Sequence, residues 1–325
     1  MSEPGERPLV SVLMASRNGS RFLGEALESL RAQSWRRLEI VVVDDGSTDE
    51  TPAILERFAR SHAATRVLRS EGIGLAGALA RAATQARGEL FARHDDDDRS
   101  DPRRVEEQVS FLLGHPEIGL VGTGASLIDE RGEVVAHVPV PTTAARIRAT
   151  LRRAPPFVHG SVLIRREVYE RAGGYRTAFQ ATQDYDLWLR IPRDAGLANL
   201  AAPLYQWRLH AGGVFSRARE TQLRYQALAR AFADERREQG RDSIELLERC
   251  DGFERFLAEY PRAGLLHFYL GETLVRNGRL AEARAHLAEA LRRGGPRGAA
   301  LQWLALSWAV RLVRPASAAR ATGAA

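Results

Sequence analysis

The sequence predicts an α/β fold, a mostly parallel sheet flanked by helices, followed by an all-α C-terminal region. Three observations carry this reading. Apolar, β-rich runs alternate with helical patterns at short spacing through the first hundred residues. Acidic residues gather where one of those runs ends, at the carboxyl edge where such sheets bind ligands. After Gly212 and Gly213 the strand signals stop and helical patterns continue to the end.

"LVSVLMAS" (9–16) is the first strand, and "FLGEALESLRAQ" (22–33) the first helix, with Phe22, Ala26, Leu27 and Leu30 on one face. "LEIVVVDD" (38–45) reads as a buried strand and "TPAILERFARS" (51–61) as the second helix. "TRVLRS" (65–70), a helix running to Ala86, and "ELFARH" (89–94) repeat the alternation. Beyond residue 100 the pattern loosens. A helix is expected at 102–114, strands within 118–140 around a turn at Glu130–Gly132, and a strand at 158–166. A helix at 183–191 and a last strand at 203–210 follow. The domain boundary is expected within 212–245, dividing the chain into residues 1–212 and 213–325. In the tail, residues 265–296 carry Leu270, Gly271, Gly278, Ala283, Leu287 and Ala290 at spacings that resemble one tetratricopeptide repeat. One repeat cannot bury its face alone, so helices at 243–260 and 299–313 are expected to cover it.

Composition narrows the chemistry. A hydrophobic fraction of 44% and a charged fraction of 27% over 325 residues describe an ordinary soluble globular protein. All 47 basic residues are arginine, which removes every mechanism that needs a lysine: a P-loop lysine, a Schiff base, a kinase-type lysine. The net charge of +6 is dispersed, with no compact basic run. Nucleic acid is therefore not an expected partner, and phosphate-bearing small substrates or a membrane surface are. A single cysteine, Cys250, allows no internal disulfide and suits a reducing compartment. No basic start leads into an apolar leader, and the longest apolar segment, 299–313, is too short to span a bilayer. The expected location is cytoplasmic, with peripheral contact at the inner face of the membrane, and a protein partner for the tail, left open.

Two features compete for the N-terminal half. Gly72-Ile73-Gly74-Leu75-Ala76-Gly77 is a formal GxGxxG after a strand, the layout of a nicotinamide dinucleotide fingerprint, or simply glycines that let a helix pack close to a sheet. The second feature is a constellation: "VSVLMASRN" (11–18 after Val10), "VVVDDGSTDET" (41–51), "ARHDDDDRSDPRR" (92–104) and "TQDYDLWLR" (182–190). Each has a plain reading as well. Asp44 to Ser47 could be a turn into a helix, with Ser47 and Glu50 as a capping box. Asp95 to Asp98 could be a solvated loop, although not an EF-hand, whose sixth position would fall on Ser100 in place of glycine. Asp184 and Asp186 could be helix-start residues favoured by the macrodipole.

Together these stretches, in this order from about Leu9 to His210, resemble the inverting, nucleotide-sugar-dependent glycosyltransferases of family 2. The resemblance implies a GT-A fold and a glycosyltransferase activity. It implies a nucleoside diphosphate sugar donor, Mn²⁺ or Mg²⁺, and a glycan or lipid-linked acceptor. Asp45 matches the aspartate that meets the donor base, and Ala15, Ser16, Arg17 and Gly74 match positions around the donor. Asp95 or Asp96 would face the ribose or the waters of the metal, which Asp97 and His210 would hold, with Arg208 near the diphosphate or the metal. Asp184 matches the catalytic base, and Asp186 a structural residue. Gln183 stands where the family often has glutamate. A scaffold whose tetratricopeptide-like tail does the work is the other reading.

Overall fold

The computed structural model describes residues 7–210 and 219–313. The chain divides into two compact units, Met1–Ala218 and Arg219–Ala325. The expected boundary at 212 lies among residues 211–218, outside the described ones.

The first unit opens with β1 (Val10–Ser16), α1 (Ser20–Arg31), β2 (Leu38–Asp45), α2 (Thr51–Ser61), β3 (Thr65–Ser70), α3 (Gly74–Gln85) and β4 (Leu90–Arg93). These strands pair in parallel in the order β3-β2-β1-β4. Val10, Val12 and Met14 of β1 face Leu23, Ala26, Leu27 and Leu30 of α1 in one core. Each such side chain contributes about 1.5–3 kcal/mol on burial, which fixes the helix against the sheet. Because β2 and β4 lie on opposite sides of β1, the strand order reverses between β1 and β4. In open α/β sheets ligands sit in the crevice at the carboxyl ends of such a reversal, and here β1 ends at Ser16 while β4 ends at Arg93 and leads into the run Asp95–Asp98.

The sheet then changes character. β5 (Arg99–Ser100), α4 (Arg104–Gly114), β6 (Ile118–Ile128), β7 (Val134–Val138), α5 (Ala144–Leu151), β8 (Leu163–Arg165), α6 (Arg166–Arg171), α7 (Gln183–Arg190) and β9 (Gly196–Arg208) follow. β8 joins antiparallel to β4, and β6 and β9 extend the sheet, so the second half is mixed. The strand expected at 158–166 is shorter than the sequence suggests. His159–Ser161 form a 3₁₀ turn, with Gly160 pressed against Tyr205 where no side chain fits. The last strand starts earlier than expected, at Gly196. The capping box does not form. Ser47 Oγ accepts from the Asn18 amide, and Asp49 Oδ1 accepts from the Thr51 amide at the start of α2.

The second unit is helical: α8 (Arg219–Gln239), α9 (Ile244–Arg249), α10 (Phe253–Glu259), α11 (Ala263–Arg276), α12 (Leu280–Arg292) and α13 (Arg297–Val313). The helix expected at 243–260 is broken in two at Gly252, whose φ of +91° no helix accommodates. α11 and α12 form the repeat-like hairpin. A Cβ on Gly271 would stand 2.6 Å from Leu287 Cγ, so only glycine permits this approach. Trp303 and Leu304 of α13 pack against the cluster of Phe268, Leu274 and Leu287. Leu301, Leu306 and Trp308 stay exposed. The Arg311 side chain and Arg314 lie outside the described residues.

Candidate functional site

Two loops are bolted together at the carboxyl edge. Asn18 takes a left-handed φ of 54°, and its Oδ1 accepts from the Thr48 amide at 2.8 Å. The Gly19 amide donates to Thr51 Oγ1 and the Ser20 amide to Asp49 Oδ2. Ala15 and buried Ser16 thus end β1 in a fixed frame, and the exposed Arg17 places its guanidinium over Gly72.

The GxGxxG stretch has a local use. Asp45 Oδ1 accepts from Ser70 Oγ and the Ile73 amide, and Oδ2 accepts from the Gly74 amide, all at 2.7–2.8 Å. Gly72 and Gly74 both have positive φ, which turns those amides onto the carboxylate. Burial opposes the charge on Asp45, but these donors outweigh it and hold the carboxyl below its usual range.

At the next strand end the acidic run rests on buried cations. Arg93, only 2% exposed, pairs with Asp95 and donates to the His94 carbonyl. Fully buried Arg104 donates to the carbonyls of Arg93 and Gly160 and lies 5.3 Å from the Tyr205 ring, while Tyr205 Oη accepts from the Asp95 amide. Burial pushes Arg104 down to about 10. The carboxyls of Asp95, Asp96 and Asp98 are displaced upward. Burial, then the charges of Asp97 and Asp95, drive Asp96 up to about 7, although Ser16 Oγ donates to it. Asp95 rises through burial and Asp97, against the pull of Arg93, and Asp98 rises well above its ordinary value through burial, Asp97 and Asp95.

Asp97 Oδ2 lies 2.8 Å from His210 Nε2, so these two expected residues do meet. Arg208 corrects an expectation. Its guanidinium is spent on the carbonyls of Asp97, Asp129 and Glu130 and on Glu25, while its amide donates to Asp98 Oδ1. It braces the acidic run, and its side chain is fully buried among these partners and not presented to a ligand. Among the described residues no three His, Cys, Asp or Glu side chains converge to hold an ion alone. The donor set nevertheless fits a hard divalent cation that takes one or two protein ligands and completes its shell with substrate phosphates. The upward displacement of Asp95, Asp96 and Asp98 marks a place where positive charge is wanting.

Asp184 lies close enough to feel the charge of Asp95. Thr182 adopts a left-handed φ of 53°, an entry that sets Asp184 in the first turn of α7. Burial raises Asp184 to about 6, with the Asp95 charge adding to it. Asp186, two residues on, is fully buried and ion-paired with Arg190 at 2.8 Å, so the two aspartates face different surroundings. Sequence reasoning missed Arg93, Arg104 and Tyr205, and also His159 and Tyr175. A charged residue inside a buried strand, as in "LFARH", was the one available signal.

The family model described as glycosyl transferase family 2 matches residues 11–173. The chain belongs to glycosyl transferase family 2. The putative glycosyltransferase EpsE of Bacillus subtilis is 36% identical over 211 residues, covering 62% of this chain and 73% of that protein. A longer uncharacterized glycosyltransferase of Rickettsia felis is 32% identical, and the chain spans 35% of its length. Among solved structures, a mannosyltransferase of Pyrobaculum calidifontis in complex with GDP-Man and Mn²⁺ aligns with a TM-score of 0.57. It is 24% identical, over 96% of this chain and 83% of that one. S. aureus TarS 1–349 in complex with UDP-GlcNAc aligns at 0.60 with 16% identity, over 94% and 92%. At such identities these two establish the shared GT-A fold. The family 2 glycosyltransferase is thus a GT-A domain followed by a run of helices, and no described helix is long and apolar enough to cross a membrane.

Proposed function

We propose that this glycosyltransferase moves one sugar from a nucleoside diphosphate sugar to a hydroxyl of a glycan or lipid-linked acceptor, with inversion at the anomeric carbon. The observation that carries the reading is an acidic run whose Asp95, Asp96 and Asp98 are displaced upward, with Asp184, a carboxyl at about 6, close enough to feel the Asp95 charge. The donor's nucleotide lies along the ends of β1 and β2. There Asp45 meets the base, Ala15, Ser16, Arg17 and Gly74 line the pocket, and Asp95 and Asp96 face the ribose. Asp97 and His210 hold Mn²⁺ or Mg²⁺. When bound, the ion supplies positive charge that offsets the leaving diphosphate. The complexes of the neighbours with GDP-Man and Mn²⁺ and with UDP-GlcNAc support this donor class.

Asp184 takes the proton of the acceptor hydroxyl as that oxygen attacks. A carboxylate at about 6 is a stronger base than an ordinary one and is still ionised at neutral pH. The framework of Arg93, Arg104 and Arg208 keeps the acidic run from rearranging as charge builds. The test is a panel of UDP- and GDP-sugars with full-length protein, with and without Mn²⁺, reading donor hydrolysis and thermal shift. Metal-dependent hydrolysis of one donor is expected, and no hydrolysis of any donor would overturn the reading.

A further inference from the structure

One polar pair beside the crevice belongs to neither the acidic run nor the base. His159, on the 3₁₀ turn before β8, sets its Nε2 2.9 Å from Tyr175 Oη. Its ring stands edge-on to Trp188 of α7, centroids 6.2 Å apart, and Trp188 lies one turn beyond Asp184. Tyr175 feels the charges of Arg93, Asp184 and Asp95, and His159 that of Arg93. The pair therefore shares a wall with the base.

We propose that His159 and Tyr175 form a subsite that binds a hydroxyl of a neutral acceptor sugar next to Asp184. This rests on the assignment of Asp184 as the base. His159 keeps only a part of its surface exposed and Tyr175 beside it is buried, and His159 Nδ1 has no hydrogen-bond partner among the described residues. Burial first, and the Arg93 charge second, keep the imidazole neutral. A neutral imidazole offers one donor and one acceptor, and a phenol both donates and accepts. With one contact spent between the two rings, the pair keeps a donor and an acceptor, the set that a sugar hydroxyl satisfies. An acidic sugar fits poorly, because Asp184 and Asp95 border the same wall and Arg93, the cation that both rings feel, is already paired with Asp95.

The experiment uses full-length protein, Mn²⁺ and the donor whose hydrolysis proves metal-dependent. Octyl glucoside and octyl galactoside serve as neutral probes, and octyl glucuronide as the acidic one. Tyr175→Phe and His159→Leu are each expected to raise the KM for the neutral glycosides about three- to tenfold, the loss of one neutral hydrogen bond. Each should shift the partition between transfer and hydrolysis toward hydrolysis by a similar factor. His159→Gln, which retains a donor and an acceptor, should recover part of the loss. Thermal melts confirm that each variant is folded, and Tyr175→Phe carries the test if His159→Leu is not. A wild-type partition in Tyr175→Phe would overturn the subsite, as would preference for the glucuronide. Donor hydrolysis without transfer to either neutral glycoside would also overturn it while leaving the donor site standing. Absence of any donor hydrolysis would sink the transferase reading itself, and the subsite with it.

Discussion

Buried charge is handled differently in the two units. In the N-terminal unit Asp95, Asp96, Asp98 and Asp184 sit around one crevice, each displaced upward, with Arg93 and Arg104 beneath them. In the C-terminal unit buried Glu272 accepts from Arg230 at 2.7 Å and from Arg276 at 2.9 Å, and Arg230 lies 4.1 Å from the Tyr269 ring. There Glu272 on α11 is matched by Arg276 on its own helix and by Arg230 on α8. The difference separates a region arranged for a ligand from one arranged for packing. Unmatched carboxyls lower the stability of the empty protein, and such strain persists where a ligand relieves it.

The largest effect should come from the crevice. Asp184→Asn preserves shape and removes the proton acceptor, so turnover should fall about 10²–10⁴-fold while nucleotide affinity, measured by calorimetry, stays near that of the parent. The wild-type rate should carry the matching pH signature. Protonation at about 6 abolishes the base, so the rate of transfer rises with pH through 6 and is lost below it. An activity that is flat from pH 5 to 8 would move the base elsewhere.

Asp186→Asn sharpens the contrast between two aspartates only two residues apart. It breaks a fully buried ion pair with Arg190, and removing one partner of such a pair typically costs about 3–5 kcal/mol. Urea denaturation should show that loss, while the folded fraction keeps its nucleotide affinity. A variant with unchanged stability would mean that Asp186 is not held by Arg190.

Much of this was legible in the sequence because it is local. The limits of α2 and β3 follow from apolar spacing and from the Pro52 and Gly72 boundaries, and the clustered charge at 95–98 was plain in the sequence itself. What escaped was long-range. Ser16 meets Asp96 across 80 residues, Asp97 meets His210 across 113, and Arg104 reaches the carbonyl of Gly160 across 56. No periodicity encodes such pairs. The resemblance to family 2 supplied the Asp97–His210 meeting, yet neither the resemblance nor the residues showed that Arg208 is spent as a brace. His159 read as a strand residue because "VHGSVLI" is β-rich, while the packing of Gly160 under Tyr205 imposes the 3₁₀ turn.

Asp97→Asn tests the acidic run from the ligand's side. Altering groups around a metal typically costs about 10–100-fold in affinity, and a lost carboxylate ligand should cost at least that. UDP or GDP binding with Mn²⁺ should weaken accordingly and lose its dependence on the ion. Equal affinity in parent and variant would remove Asp97 from the metal site.

The smallest expected effect lies in the helical unit, and it asks whether that unit is only packing. Gly271→Ala places a methyl 2.6 Å from Leu287 Cγ and 3.2 Å from the Ala283 carbonyl, so α11 and α12 must separate or Leu287 must leave its rotamer. Overpacking of this kind costs about 1–3 kcal/mol. Leu287→Ala alone leaves a void and is destabilising in its own right. In the double variant the void accepts the new methyl, so the combined loss should be smaller than the sum of the two, a coupling that neighbours in contact show and distant sites do not. Thermal melts of the four proteins measure it. Donor hydrolysis should be the same in all four if the helices serve packing. A change in hydrolysis that follows the melts would instead tie the tail to the chemistry and erase the contrast between the units.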